Sequence, residues 1–108
     1  MTVDPRTSTT IALAERYLEI IERQPPHTGA QDPRLNHENL AWICREMIKD
    51  GHALPLDKIS RWLGFVQGCL AMQGLIQVDE ERDVSRPLFH AAYREIGILP
   101  PKPREKRD

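Results

Sequence analysis

Residues 56–73, LDKISRWLGFVQGCLAMQ, decide the fold class that this sequence predicts. Their apolar residues recur at helical spacing, and Pro55 and Gly74 stand where such a helix would begin and end. On a helical wheel the apolar residues cover about half of the circumference or more, which predicts a helix contacted from more than one side. These residues are Leu56, Ile59, Trp62, Leu63, Phe65, Val66, Cys69, Leu70 and Met72.

Three further helices are predicted around this segment. The first follows candidate N-caps at Ser8, Thr9 and Thr10 and stops before Pro25-Pro26. The second runs from the cap residue Asn36 to Gly51, which is placed as a C′ glycine. The fourth is capped by Ser85, carries Pro87 in its first turn and ends at Gly97. The prediction is an all-α fold, a small bundle of about four helices packed around the central apolar helix.

The remaining segments set the domain organisation. Residues 1–7 are expected to form a flexible arm, residues 8–98 a single helical domain, and residues 99–108 a disordered, Pro-rich, charged tail. Within the domain, residues 24–35 hold three prolines and a glycine and are expected to form an irregular loop. Residues 75–78 are predicted to be an extended link that leads into the acidic run at residues 79–83.

Composition narrows the classes of function. A formal net charge of −1 gives no overall attraction to nucleic acid or to anionic membranes. No apolar run approaches the ~20 residues of a membrane span, and the N-terminal residues lack the apolar region of a secretory signal. Cys44 and Cys69 are expected to be buried free thiols. These features predict a cytoplasmic protein with no membrane partner.

No motif predicts an enzyme. The four histidines and two cysteines show no metal-ligand spacing, and neither a nucleophile motif nor a Gly-rich phosphate loop is present. We therefore expect no catalytic residue, no metal and no cofactor. The enzyme that we keep as an alternative function is a small hydrolase or nuclease that uses Glu80, Glu81 and His90. It would need a divalent metal ion.

A polar strip with two glycines lies opposite the apolar arc of the central helix. Each glycine inside a helix costs roughly 1 kcal/mol relative to alanine, so close contact with another backbone is expected to compensate. Two interpretations stay open: helix 1 or helix 4 of the same chain packs on the strip, or a protein partner or second copy binds there. The candidate partner-binding residues are Ser60, Arg61, Gly64, Gln67 and Gly68.

A second candidate surface lies on the fourth helix. Arg86, His90 and Arg94 follow i, i+4 spacing and therefore share one face. Arginine suits carboxylate or phosphate recognition, so the stripe is a candidate contact for an anion or a partner. The alternative is that the nearby acidic run neutralises the stripe in a salt-bridge network.

Nucleic-acid binding is the less favoured alternative. The central helix followed by residues 74–78 and a polar turn could form a winged helix, with residues 80–83 at the tip of the wing. A recognition helix must present polar side chains to base edges, whereas this helix is mostly apolar. The acidic wing tip would also face phosphates.

Two segments carry a family resemblance. Residues 61–68, RWLGFVQG, and residues 81–93, ERDVSRPLFHAAY, resemble small, uncharacterised accessory proteins of tailed phages and prophages. The resemblance brings no catalytic motif. It implies a non-enzymatic protein that works in the host cell by binding another protein, for example as an inhibitor of a host or defence factor. The glycine strip adds self-association, for example as a homodimer, as the other predicted mode of binding.

Overall fold

The computed structural model describes residues 3–26 and 32–99, and these residues contain four α-helices and no strand. The helices are α1 (Pro5–Glu22), α2 (His37–Asp50), α3 (Leu56–Met72) and α4 (Val78–Glu95). Short 3₁₀ turns at Pro33–Leu35 and Gly51–Ala53 flank α2. The predicted all-α bundle of four helices is confirmed. Of the described helices, none combines the length and the apolar character that crossing a bilayer requires.

Helix α1 begins earlier than the sequence analysis predicted. The Asp4 carboxylate accepts a hydrogen bond from the Arg6 backbone N–H at 2.9 Å, and Pro5 occupies the first helical position. Residues 5–7 are therefore helical rather than part of a flexible arm, and Thr7 is buried. The Asp-Pro pair is a stronger start signal than the candidate N-caps Ser8, Thr9 and Thr10.

Helix α4 also begins earlier, at Val78 rather than at Ser85. The Gln77 side-chain oxygen accepts a hydrogen bond from the Glu80 N–H at 2.9 Å, and the acidic run lies in the first turns, where the helix dipole favours negative charge. Pro87 consequently lies inside the helix, on its exposed side, instead of in the first turn. The predicted extended link is shorter by one residue.

The glycines at the helix ends divide into two kinds. Gly74 and Gly97 have positive φ angles of 75° and 79° and terminate α3 and α4, as the sequence predicts. Gly51 instead has a φ of −54° and continues into a 3₁₀ turn. A Cβ atom at Gly51 would lie 3.0 Å from two side-chain atoms of Ile11, so this glycine permits the close packing of α1 on the end of α2.

The helix that contacts each of the other three is α1, not the more apolar α3. Helices α3 and α4 both pack on α1 and make almost no direct contact with each other among the described residues. The core lies mainly between α1, α2 and α3, and its fully buried side chains include Leu13, Tyr17, Leu40, Met47, Ile59, Val66 and Leu70.

Part of the predicted loop at residues 24–35 is ordered. The Pro33–Leu35 turn is capped by Asp32, whose carboxylate accepts a hydrogen bond from the Arg34 N–H at 3.0 Å. The expectations for residues 27–31 and for the tail at 100–108 lie outside the described residues.

Candidate protein-binding surface

The packing of α3 is one-sided. Ile59, Leu63, Val66 and Leu70 are buried. Phe65 and Met72, which the wheel placed in the contacted arc, are 41% and 89% exposed. The prediction that this helix is covered on more than one side is wrong for these two residues, because α1 and α2 cover only the opposite side and α4 does not close over it.

The two glycines of the strip face open space. An ideal Cβ atom built at Gly64 or at Gly68 meets no heavy atom of the described residues within 4 Å. Neither α1 nor α4 approaches them, which contradicts the interpretation that internal packing compensates for the glycines. Their unfavourable helix propensity therefore has no compensating contact within the described part of the chain.

The other strip residues do not form one surface. Ser60 and Arg61 are exposed, and the Arg61 guanidinium lies 3.6 Å from the Asp57 carboxylate one turn earlier. Gln67 is half-buried and turns towards α1, where its amide donates a hydrogen bond to the Tyr17 hydroxyl at 2.9 Å. Gln67 therefore belongs to the interior, and Ser60 lies at the edge of the exposed side. We call the central exposed residues the α3 outer face: Asp57, Arg61, Gly64, Phe65, Gly68 and Met72.

An aromatic cluster borders the α3 outer face. The ring centroids of Trp42 and Trp62 are 6.2 Å apart, and the Lys58 ammonium lies 5.1 Å from the centroid of the Trp62 ring. Trp42 is 50% exposed although it touches the second tryptophan. Tryptophan, with tyrosine and arginine, is enriched among the residues that dominate binding energy at protein interfaces.

The stripe on α4 lies on a different surface. Arg86 and Arg94 are exposed and His90 is half-buried. Across residues 3–26 and 32–99, no ion pair joins either arginine to a carboxylate. The salt-bridge network expected between this stripe and the acidic run is therefore absent from the described part of the chain. Because α3 and α4 barely touch, the two candidate surfaces are separate.

One residue of the acidic run points inwards instead. The Glu81 side chain is only 8% exposed and accepts hydrogen bonds from the Arg16 guanidinium at 2.7 Å and from the Tyr17 hydroxyl at 3.0 Å. With the hydrogen bond from Gln67 to Tyr17, this network joins α1, α3 and α4. This network could not be predicted from the sequence, because a glutamate among four other charged residues carries no signal of burial.

These contacts bear on the two alternative functions, a small hydrolase and a winged-helix DNA-binding protein. The hydrolase hypothesis needs Glu81 at a metal ion, but its carboxylate is held by Arg16 and Tyr17. In the described residues, no group of three histidine, cysteine or acidic side chains is arranged to hold a metal ion. The winged helix needs a β-wing, but residues 80–83, expected at its tip, lie within α4, and no strand occurs in the part of the chain that the structure describes.

Comparison of the chain with protein-family models, curated proteins and solved structures finds no match.

Proposed function

We propose that this chain is a non-enzymatic protein-binding domain that acts through the α3 outer face. The observation that carries the proposal is the open space above Gly64 and Gly68, where added Cβ atoms would meet nothing. Glycine inside a helix lowers stability and is useful where another backbone must approach closely. Since no described segment of this chain approaches, a second molecule is the natural source of that contact.

The residues around the glycines support the same proposal. Phe65 and Met72 place exposed apolar side chains on either side of Gly68 along the helix. A partner helix could lie in the shallow groove at the glycines while these larger side chains pack against its flanks. The nearby pair of Trp42 and Trp62 would extend the contact onto α2.

The class of partner follows from the resemblance to phage accessory proteins. Proteins of that kind often bind and block a host protein, so a host or defence factor is one candidate and a second copy of this chain is the other.

Site-specific photo-crosslinking inside expressing cells tests the proposal. A photoreactive amino acid at Met72 should give a discrete protein adduct, because this position lies on the α3 outer face. The matched control is Leu99, which is 87% exposed, against 89% for Met72, and lies beyond the end of α4. Equal adducts at both positions, or none at Met72, would overturn the proposal.

A larger residue in place of one glycine provides a second test. Gly68→Leu should leave the chain folded, because the space at Gly68 is open. It should abolish the adduct formed at position 72, because the leucine side chain would hold the partner backbone away. Unfolding of this variant, judged by circular dichroism, would mean that the glycine serves the chain's own packing.

A further inference from the structure

The arginines of α4 differ from those of the other elements in their partners. Arg82, Arg86 and Arg94 are exposed, and none of them forms an ion pair with a carboxylate of the described residues. Every other arginine in the described ranges has its guanidinium within 3.6 Å of a carboxylate: Arg6, Arg16, Arg23, Arg34, Arg45 and Arg61. Among the described residues, the guanidinium groups available to an external anion are therefore all on α4.

These arginines form a row along the helix, which we call the α4 basic row: Arg82, Arg86, His90 and Arg94. Each member is four residues from the next, so successive members are about 6 Å apart along the helix axis and the row spans about 18 Å. His90, which is half-buried, lies between two of the arginines. The row therefore presents guanidinium groups over most of the length of α4 rather than at one point.

Most of the negative charges of the chain lie outside this part of the sequence. Residues 1–83 contain nine Lys and Arg against thirteen Asp and Glu, a formal charge of −4. Residues 84–108 contain six against three, a formal charge of +3, and residues 84–94 contain no carboxylate. Asp79 and Asp83 lie only at the N-terminal end of the row. The net charge of −1 thus combines an acidic body with a basic C-terminal quarter, a pattern typical of chains that bind polyanions.

The composition of the α4 basic row fits a phosphate backbone better than a protein partner. The cores of protein interfaces are depleted in charged residues and enriched in aromatic side chains. Leu88, an exposed apolar residue in the middle of α4, is two residues from both Arg86 and His90 and therefore does not face the row. Arginine binds phosphate oxygens through its planar guanidinium group, and binding to a nucleic-acid backbone is mainly electrostatic.

The aromatic residues of α4 favour a duplex over a single strand. Proteins that bind single strands offer open aromatic rings on which the bases stack. Phe89 and Tyr93 are half-buried and stack on each other instead, with their ring centroids 6.4 Å apart. Duplex DNA carries one negative charge per about 1.7 Å of its axis, so a row of about 18 Å would lie along about ten phosphates.

We propose that the α4 basic row binds the phosphate backbone of duplex DNA without sequence preference. This activity goes beyond the proposed protein-binding function, because α4 and the α3 outer face are separate surfaces. Since the three arginines have no ion pair within the described part of the chain, binding to phosphates would break none there. The carboxylate of Asp83, one residue from Arg82 and three from Arg86, opposes the binding.

Fluorescence anisotropy with a labelled duplex of roughly 20 base pairs tests the proposal. Three phosphate contacts predict a slope of log K against log salt of about −2.7, so the affinity should fall about 40-fold between 50 and 200 mM salt. The double variant Arg86→Gln, Arg94→Gln should weaken binding at the lower salt concentration at least about tenfold and make the slope shallower by about 2. The matched control is Arg34→Gln, Arg45→Gln, which changes the net charge equally at exposed arginines that are ion-paired.

A variant of opposite sign checks the same surface. Asp83→Asn removes a carboxylate beside the row, so duplex binding should tighten about twofold or more. Because Asp83 is exposed, this change should leave the fold intact, and circular dichroism verifies the fold of each variant.

Three results would overturn the proposal. The first is no duplex binding at 50 mM salt, or an equal loss in the double variant and its control. The second is tighter binding of a single strand with the same number of phosphates, which would contradict the choice of a duplex. The third is tighter binding of poly-glutamate of equal charge, which would assign the row to an acidic protein instead.

The proposed protein-binding function fails or stands separately. Gly68→Leu, which changes the α3 outer face, should bind the duplex as the wild type does. The double variant Arg86→Gln, Arg94→Gln should still give the protein adduct at position 72. Loss of both activities in either variant would show that the two surfaces act as one, contrary to this proposal.

Discussion

Tyr17 is the residue at which three helices share one hydrogen-bond network. Its side chain is fully buried in α1, donates to the Glu81 carboxylate of α4 and accepts from the Gln67 amide of α3. A buried hydroxyl without partners would destabilise the fold, whereas this one has both a donor and an acceptor. Burial raises the pKa of Tyr17 from 10.0 to about 12.

That pKa predicts how stability depends on alkaline pH. The folded chain holds the Tyr17 proton more tightly than the unfolded chain, so its contribution is complete below about pH 10 and is lost as pH rises towards 12. Over that range the free energy of unfolding should fall by up to about 1.4 kcal/mol per pH unit from this group. Urea titrations at several pH values measure the fall.

Tyr17→Phe is the control for that prediction, because phenylalanine fills almost the same space and cannot titrate. The variant should be less stable than the wild type at neutral pH, and the difference between the two should shrink above pH 10 as the native hydroxyl ionises. A difference that stays constant from neutral to strongly alkaline pH would contradict the assignment.

At the scale of single residues, the sequence predicted exposure less well than it predicted helix type. Glu81 lies in a run of five charged residues, and nothing in that run distinguishes the inward carboxylate from Glu80 or Asp83. The wheel similarly placed Phe65 and Met72 in the buried arc, because apolar character alone does not reveal which side of a helix its neighbours cover. Such differences depend on tertiary packing.

At the scale of the helices, some boundaries can be predicted because they depend on local sequence signals. The cap at Asn36 and the positive-φ glycine at position 74 are local signals, and the structure places α2 and the end of α3 accordingly. The start of α4 depends on Gln77, an unusual N-cap, and on the tolerance of Pro87 at an exposed position inside the helix. Local rules that read proline as a helix start therefore place this boundary too late.

Helix α3 provides a prediction about its own glycines. The double variant Gly64→Ala, Gly68→Ala should raise the free energy of unfolding by about 1–2 kcal/mol, since alanine favours the helix and its Cβ atoms meet no described neighbour. Chemical denaturation of dilute protein, where association is negligible, measures this. Gly51→Ala should instead lower the free energy of unfolding, because its Cβ atom would lie 3.0 Å from side-chain atoms of Ile11. Destabilisation by the double variant would show that the glycines serve internal packing.

For the whole molecule, the sequence predicts the all-α fold class correctly, but it does not predict which helix lies at the centre of the bundle. Apolar content predicts α3 as the central helix, but α1 makes the contacts to all the others. Its buried side includes Thr7 and Thr10, and the Thr10 hydroxyl donates to the Arg6 carbonyl at 2.9 Å. Because this hydrogen bond is made within the helix, a hydroxyl can be buried in a position that hydropathy assigns to the surface.

Of the four helices, α4 packs least extensively against the rest of the bundle. Its substantial helix contacts are with α1 alone, and of its eighteen residues only Glu81 and Ala92 are buried. Helices with few buried apolar contacts open by local unfolding at a lower free energy than the rest of a fold. The hydrogen bonds that Glu81 receives from Arg16 and Tyr17 therefore carry an unusually large share of the attachment of α4.

Amide hydrogen exchange tests whether α4 opens as a separate unit. In the wild type, the amides of α4 should exchange faster than those in the middle of α1, α2 and α3. Glu81→Ala should lower their protection by about 2 kcal/mol, the typical contribution of hydrogen bonds to a charged group, and change the other three helices much less. Asp83→Ala, an exposed change in the same helix, should leave the pattern unaltered. If Glu81→Ala speeds exchange equally in all four helices, the bundle opens only as a whole, and α4 owes no separate stability to this carboxylate.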